Sequence, residues 1–144
     1  MNKLTLAGVA AAALAVGWIA TRPGPVEPGG DTAAPAPGAA MAAVSLPDTF
    51  SEQAQIGQRV YDAVCAACHG DNAAGRMGAG PPLVHKIYEP SHHGDMAFLL
   101  AVQNGVQSHH WRFGNMPAQE GLTRADVAAI VAYVRELQKA NGIE

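Results

Sequence analysis

Cys65-Ala66-Ala67-Cys68-His69 is the segment of this chain best equipped for chemistry. Two thiols separated by two residues and followed directly by an imidazole form the C-x-x-C-H pattern that attaches a c-type haem. The thiols can add to the two vinyl groups of one porphyrin, and the adjoining histidine is placed to bind the iron from one face. Cys65 and Cys68 are the only cysteines in the sequence, so no disulfide competes for them. Two other chemistries use such a pair. A redox dithiol belongs in a βαβ pattern, which this sequence lacks. A structural zinc site wants four Cys or His ligands, and there is no second cysteine pair to supply them.

The residues around the motif extend the argument. Gly57 and Tyr61 precede it, and Gly70, Gly75, Gly78, Gly80, Pro81 and Leu83 follow it as a glycine-rich loop with a proline. Asn115-Met116-Pro117 comes later, and then a stretch carrying Ile130 and Tyr133. In type, spacing and order these residues resemble the monohaem class I cytochromes c over about residues 50–142. The resemblance implies an all-α fold, with three main helices around one covalently bound haem c and its iron. It implies Met116 as the distal ligand opposite His69, and the Pro81 carbonyl as acceptor for the second ring nitrogen of His69. It further implies redox protein partners docking at an exposed haem edge.

Position among the five methionines agrees with Met116. Met1 and Met41 precede the expected domain, Met77 lies in the loop on the proximal side, and Met96 opens a helix. A thioether suits both ferrous and ferric haem, and Met/His ligation raises the reduction potential, whereas a histidine in its place would lower it. With both axial positions filled, no substrate has an open iron site, so the expected function is one-electron transfer and not catalysis. A peroxidase or gas sensor would require Met116 to leave. Trp111 and Arg112 can donate hydrogen bonds to a haem propionate, with core packing as the alternative for Trp111. Five further histidines, His85, His92, His93, His109 and His110, read as solvent-exposed polar groups. A surface copper or zinc site is the other reading, since imidazole suits both metals. His109 and His110, beside Trp111, are expected to tune the haem through their charge rather than to hold a metal.

Helices must position these groups. Ser51 is a natural cap for a helix reaching about Val64, with Gly57, Val60, Tyr61 and Val64 on one face. A glycine inside a helix costs about 1 kcal/mol relative to alanine, and a close crossing against Tyr133 would account for Gly57. Asp95 begins a shorter helix stopped by Gly105. Thr123 and Asp126 resemble a capping box for a last helix whose apolar stripe is Val127, Ile130, Val131, Val134 and Leu137.

The remainder of the 144 residues divides into 1–21, 22–47 and the domain at 48–144. Leu4 to Ala20 is an uncharged run after Lys3, read as an export signal, a membrane anchor or both. As a helix it would span about 25 Å, marginal against a hydrocarbon core of about 30 Å. An uncleaved anchor is favoured, because Trp18 and Ile19 sit where a cleavage site wants small residues. Residues 22–47 hold six prolines and few large apolar groups, the composition of a disordered linker or tether. Formal net charge is −3, and no basic run points to nucleic acid. The whole reads as a monomeric carrier on the periplasmic side of a bacterial cytoplasmic membrane, or free in the periplasm if the N-terminus is cleaved. The alternative is a cytochrome subunit of a membrane dehydrogenase or oxidase.

Overall fold

Ser51 starts the first helix among the described residues, its Oγ accepting from the Ala54 amide at 3.2 Å. That bond satisfies one of the early N–H groups that have no partner inside a helix. The computed structural model describes residues 35–144. In it α1 runs Glu52–Val64, and a single-turn α2, Ala66–His69, follows at Cys65. Two 3₁₀ turns, Asp71–Ala73 and Lys86–Tyr88, lead to α3, Asp95–Asn104, and α4, Arg124–Ala140. Gly105 closes α3 as expected, with φ 74°. The capping box of α4 is complete: Thr123 Oγ1 accepts from the Asp126 amide at 3.2 Å, and Asp126 Oδ2 accepts from the Thr123 amide at 2.8 Å. Among the described residues there are helices and isolated β-bridges but no strand, which is the expected all-α class.

The centre of the described domain is the crossing of α1 over α4. Gly57 lies where the helices touch, and a Cβ there would sit 1.9 Å from the Ala129 carbonyl oxygen. Only hydrogen fits. The contact partner is the Ala129–Ile130 backbone, one turn before the Tyr133 that the sequence suggests. Tyr133 instead packs on Tyr61 and Phe50, with ring centroids 5.4 and 5.3 Å apart. The stripe of α4 is buried as patterned, and Val134 and Leu137 are fully enclosed. Burial of such side chains contributes about 1.5–3 kcal/mol each. α3 joins through a second cluster in which Val102 meets Val127 and Val131.

Hydropathy patterning passes over two polar residues on α4. Gln138 is completely buried and donates from Nε2 to the carbonyls of Leu83 at 2.8 Å and Tyr88 at 3.0 Å. Arg135 binds Asp95 at 2.9 Å, Gln138 Oε1 at 2.6 Å and the carbonyls of Tyr88 and His93 at 2.8 and 2.5 Å. Together they supply donors to the part-buried backbone carbonyls of the irregular segment before α3.

The end of the expected linker differs from expectation. Residues 35–47 are docked on the domain: Met41 and Ala42 amides donate to the Ala74 carbonyl, Gly38 to Met77 and Met77 back to Ala39. Asn141 grips Ser45 through both amide groups, and Val44 packs against the core. The composition is poor in large apolar groups, but backbone hydrogen bonding needs none. The apolar run at 4–20, the rest of the 1–21 segment and residues 22–34 of the linker lie outside the described residues. Among the described residues no helix is long and apolar enough to cross a membrane.

Candidate functional site

The turn that carries the cysteines begins where α1 ends. The Cys65 amide still bonds Tyr61, and the amides of Cys68 and His69 bond the Cys65 carbonyl at 3.1 and 2.9 Å. Cys65, Cys68 and His69 are thus three and four residues apart on one helical turn, the spacing at which side chains become neighbours. Both thiols are free, Cys65 half-buried and Cys68 exposed. Burial, with Cys68 adding to it, pushes the Cys65 thiol up to about 11. Tyr61 pins the far end of the turn, its hydroxyl donating to the Gly70 carbonyl at 3.0 Å. That buried phenol is raised far above its ordinary value, first by desolvation, and so remains a neutral donor.

His69 Nδ1 lies 2.9 Å from the Pro81 carbonyl. A carbonyl only accepts, so Nδ1 carries the proton and Nε2 keeps the lone pair that a metal requires. Burial holds the His69 pKa below its ordinary value, and the Pro81 bond works against it less strongly. The imidazole is therefore neutral near pH 7. The glycine-rich loop packs closely on the motif: a Cβ on Gly80 would sit 2.7 Å from the Cys68 carbonyl oxygen. Arg76 fastens the loop from outside, donating to the Ala67 carbonyl at 3.2 Å.

Met116 and Trp111 belong to the connection between α3 and α4. The amide and carbonyl of Met116 pair with those of Val106 at 3.0 and 2.9 Å, and the Ser108 amide bonds Asn115 Oδ1 at 2.9 Å. These contacts close residues 106–116 into a loop with Met116 at its base, half-buried. The Trp111 ring stacks on Phe113 and meets His85 edge-on at 5.2 Å. Its Nε1 is buried without a hydrogen-bond partner. It is still close enough to the Tyr88 hydroxyl to offset part of the pKa rise that burial causes there. Arg112 is exposed.

This donor set fits a covalently held haem. Two free thiols stand on one helical turn, an imidazole has its Nδ1 already committed, a thioether is anchored by its backbone, and one buried N–H wants an acceptor. The five histidines do not all stand in solvent as expected: His85 and His93 are half-buried. His92, His109 and His110 are exposed as expected, and the fold gathers them with His93. The only signal available was the doublet repeated on either side of α3, which carries no distance.

Comparison with known proteins follows the same lines. The family model described as Cytochrome c matches residues 54–138. The CcoP subunit of the cbb3-type cytochrome c oxidase of Azospirillum brasilense is 38% identical over 96 residues, covering 62% of this chain and 30% of its own length. The FixP subunit of the cbb3-type oxidase of Bradyrhizobium sp. (strain ORS 278) is 37% identical over 95 residues, covering 64% of this chain and 30% of its own length. The chain spans under a third of the length of these relatives.

Proposed function

Because the chain belongs to the cytochrome c family, we propose that it is a one-electron carrier holding one haem c, with Cys65 and Cys68 as thioether tethers and His69 and Met116 as axial ligands. The observation that carries the reading is the single turn uniting two free thiols with a histidine whose Nδ1 is tied to Pro81. Haem c supplies exchange of one electron at its iron, with a potential governed by axial ligands, hydrogen bonding and burial. The protein's residues do the rest. Cys65 and Cys68 fix the porphyrin edge, Pro81 holds the His69 tautomer and ring plane, and the Val106–Met116 pairing restrains the distal loop. The orphaned Trp111 N–H supports a hydrogen bond to a propionate oxygen. Ala67 and Cys68 are exposed, which supports an accessible haem edge for redox partners at this turn. Encounters of that kind use small, short-lived interfaces.

Visible spectra of both oxidation states test the reading. The expected result is a haem c spectrum with the weak far-red absorption of Met-ligated ferric iron and slow carbon monoxide binding by the ferrous protein. Rapid carbon monoxide uptake would instead indicate an open iron position. The names of the relatives support a second reading, in which the chain passes electrons within an oxidase complex. A free carrier would purify as a monomer, whereas a subunit would co-purify with its complex in mild detergent.

A further inference from the structure

His92, His93 and His110 offer one ring nitrogen each, and these three atoms lie within 4.8 Å of one another. A point at their centre is at most about 2.8 Å from each, under 1 Å beyond a Zn–N bond of about 2.0–2.1 Å. Modest ring rotations close that gap. We propose that His92, His93 and His110 bind one divalent first-row ion, Zn²⁺ or Cu²⁺, which ties the turn before α3 to the loop that carries Met116.

The first two ligands stand on a braced turn. The amides of His92 and His93 bond the Glu89 carbonyl at 3.0 and 2.8 Å, and the His93 carbonyl accepts from Arg135. Arg135 is itself held by Asp95 and Gln138. His93 Nδ1 donates to the Ile87 carbonyl at 2.6 Å, which leaves Nε2 with its lone pair and orients the ring. This outer-shell bond is the one that metal-binding histidines usually make. The Tyr88 ring, 5.1 Å from His93, supports its face.

The third ligand arrives from the opposite segment. The His110 ring centroid is 5.6 Å from His92 and 5.3 Å from His93. His109 lies 4.2 Å from His110 and stacks on His93 at 6.1 Å, with its own Nδ1 bonded to Gln107.

The ligand chemistry selects the ion. Three imidazoles without a thiolate or carboxylate suit zinc and copper, whereas calcium and magnesium require oxygen donors. Zinc sites with three protein ligands keep a fourth position for water. The cluster uses none of the residues assigned to the haem, so it stands or falls separately from the electron-carrier reading.

Isothermal titration of the haem-loaded chain with ZnCl₂ and, separately, CuSO₄ tests the site. One ion per chain is expected, and His93→Ala or His110→Ala should weaken binding by about tenfold or more. Electron paramagnetic resonance of the Cu²⁺-loaded protein should show nitrogen hyperfine structure that is lost in the same variants. The haem spectrum reports folding in every sample. Binding of neither ion, or uptake unchanged when His92, His93 and His110 are all replaced by alanine, overturns the proposal.

Discussion

His69 commits one ring nitrogen to the Pro81 carbonyl, and that bond determines which nitrogen is left for a metal. Its neighbours in the motif are constrained in the same way, since one helical turn sets two thiols beside it. Replacing Cys65 and Cys68 together with serine should abolish covalent haem, because a hydroxyl does not form the thioether. Haem staining after denaturing electrophoresis reads this directly, and a variant that keeps its stain would end the haem assignment. Met116→Ala should remove the weak far-red absorption of the ferric protein and lower its potential, as expected on losing a thioether ligand. If Met96→Ala has that effect while Met116→Ala does not, the distal ligand has been misassigned. Met96 is exposed at the start of α3, where a substitution should be silent.

The crossing of α1 over α4 depends on one missing side chain. Gly57→Ala would drive a methyl group into the Ala129 carbonyl at 1.9 Å. Alanine's higher helix propensity returns about 1 kcal/mol. Forcing two packed helices apart costs more, so a net loss of about 1–3 kcal/mol is expected in urea unfolding of the haem-loaded protein. The start of α4 answers to pH. Hydrogen bonds from the Thr123 side chain and then its backbone hold the Asp126 carboxyl below its ordinary value of 3.8. The folded state therefore favours the ionised form, and the stabilisation is complete above 3.8 and lost as pH falls through the folded value. Asp126→Asn should lower the unfolding midpoint at neutral pH, with the difference from the parent protein shrinking in acid. A constant difference across that range would show that the charge does not matter to the cap.

At the scale of the whole molecule, the expectation to test is where the chain resides. Leu4 to Ala20 carries no charge, and Lys3 before it with Arg22 after it gives a weak bias for an inward N-terminus. That orientation would deliver Cys65 and Cys68 to the outer face of a bacterial cytoplasmic membrane. Fractionation with intact mass measurement is expected to find the chain in the membrane at its full length. A soluble form beginning near Val16, Thr21 or Val44 would mean that the segment is removed. The tether available to an anchored form is shorter than its composition suggests, because residues 35–47 are fastened to Ala74, Met77 and Asn141. An anchored domain would search a correspondingly smaller radius near its redox partners.

Local chemistry is legible in the chain before it folds. The C-x-x-C-H turn, the Ser51 and Thr123 caps, the Gly105 stop and the α4 stripe all depend on residues within a few positions of one another, where helical geometry alone fixes who meets whom. The Pro81 acceptor is legible through family resemblance, as is the proposal of Met116 as a ligand, since no local rule links them to His69. Folding supplied what depends on distant contacts. Gly57 met the Ala129 backbone and not Tyr133, a half-buried Arg135 and a buried Gln138 satisfied carbonyls that no hydropathy pattern counts, and a proline-rich segment docked through its backbone. The histidine doublets before and after α3 became one cluster for the same reason. Their separation is set by the path of the chain around α3 and the brace of Arg135, and distance across a fold is not written in the spacing of residues along it.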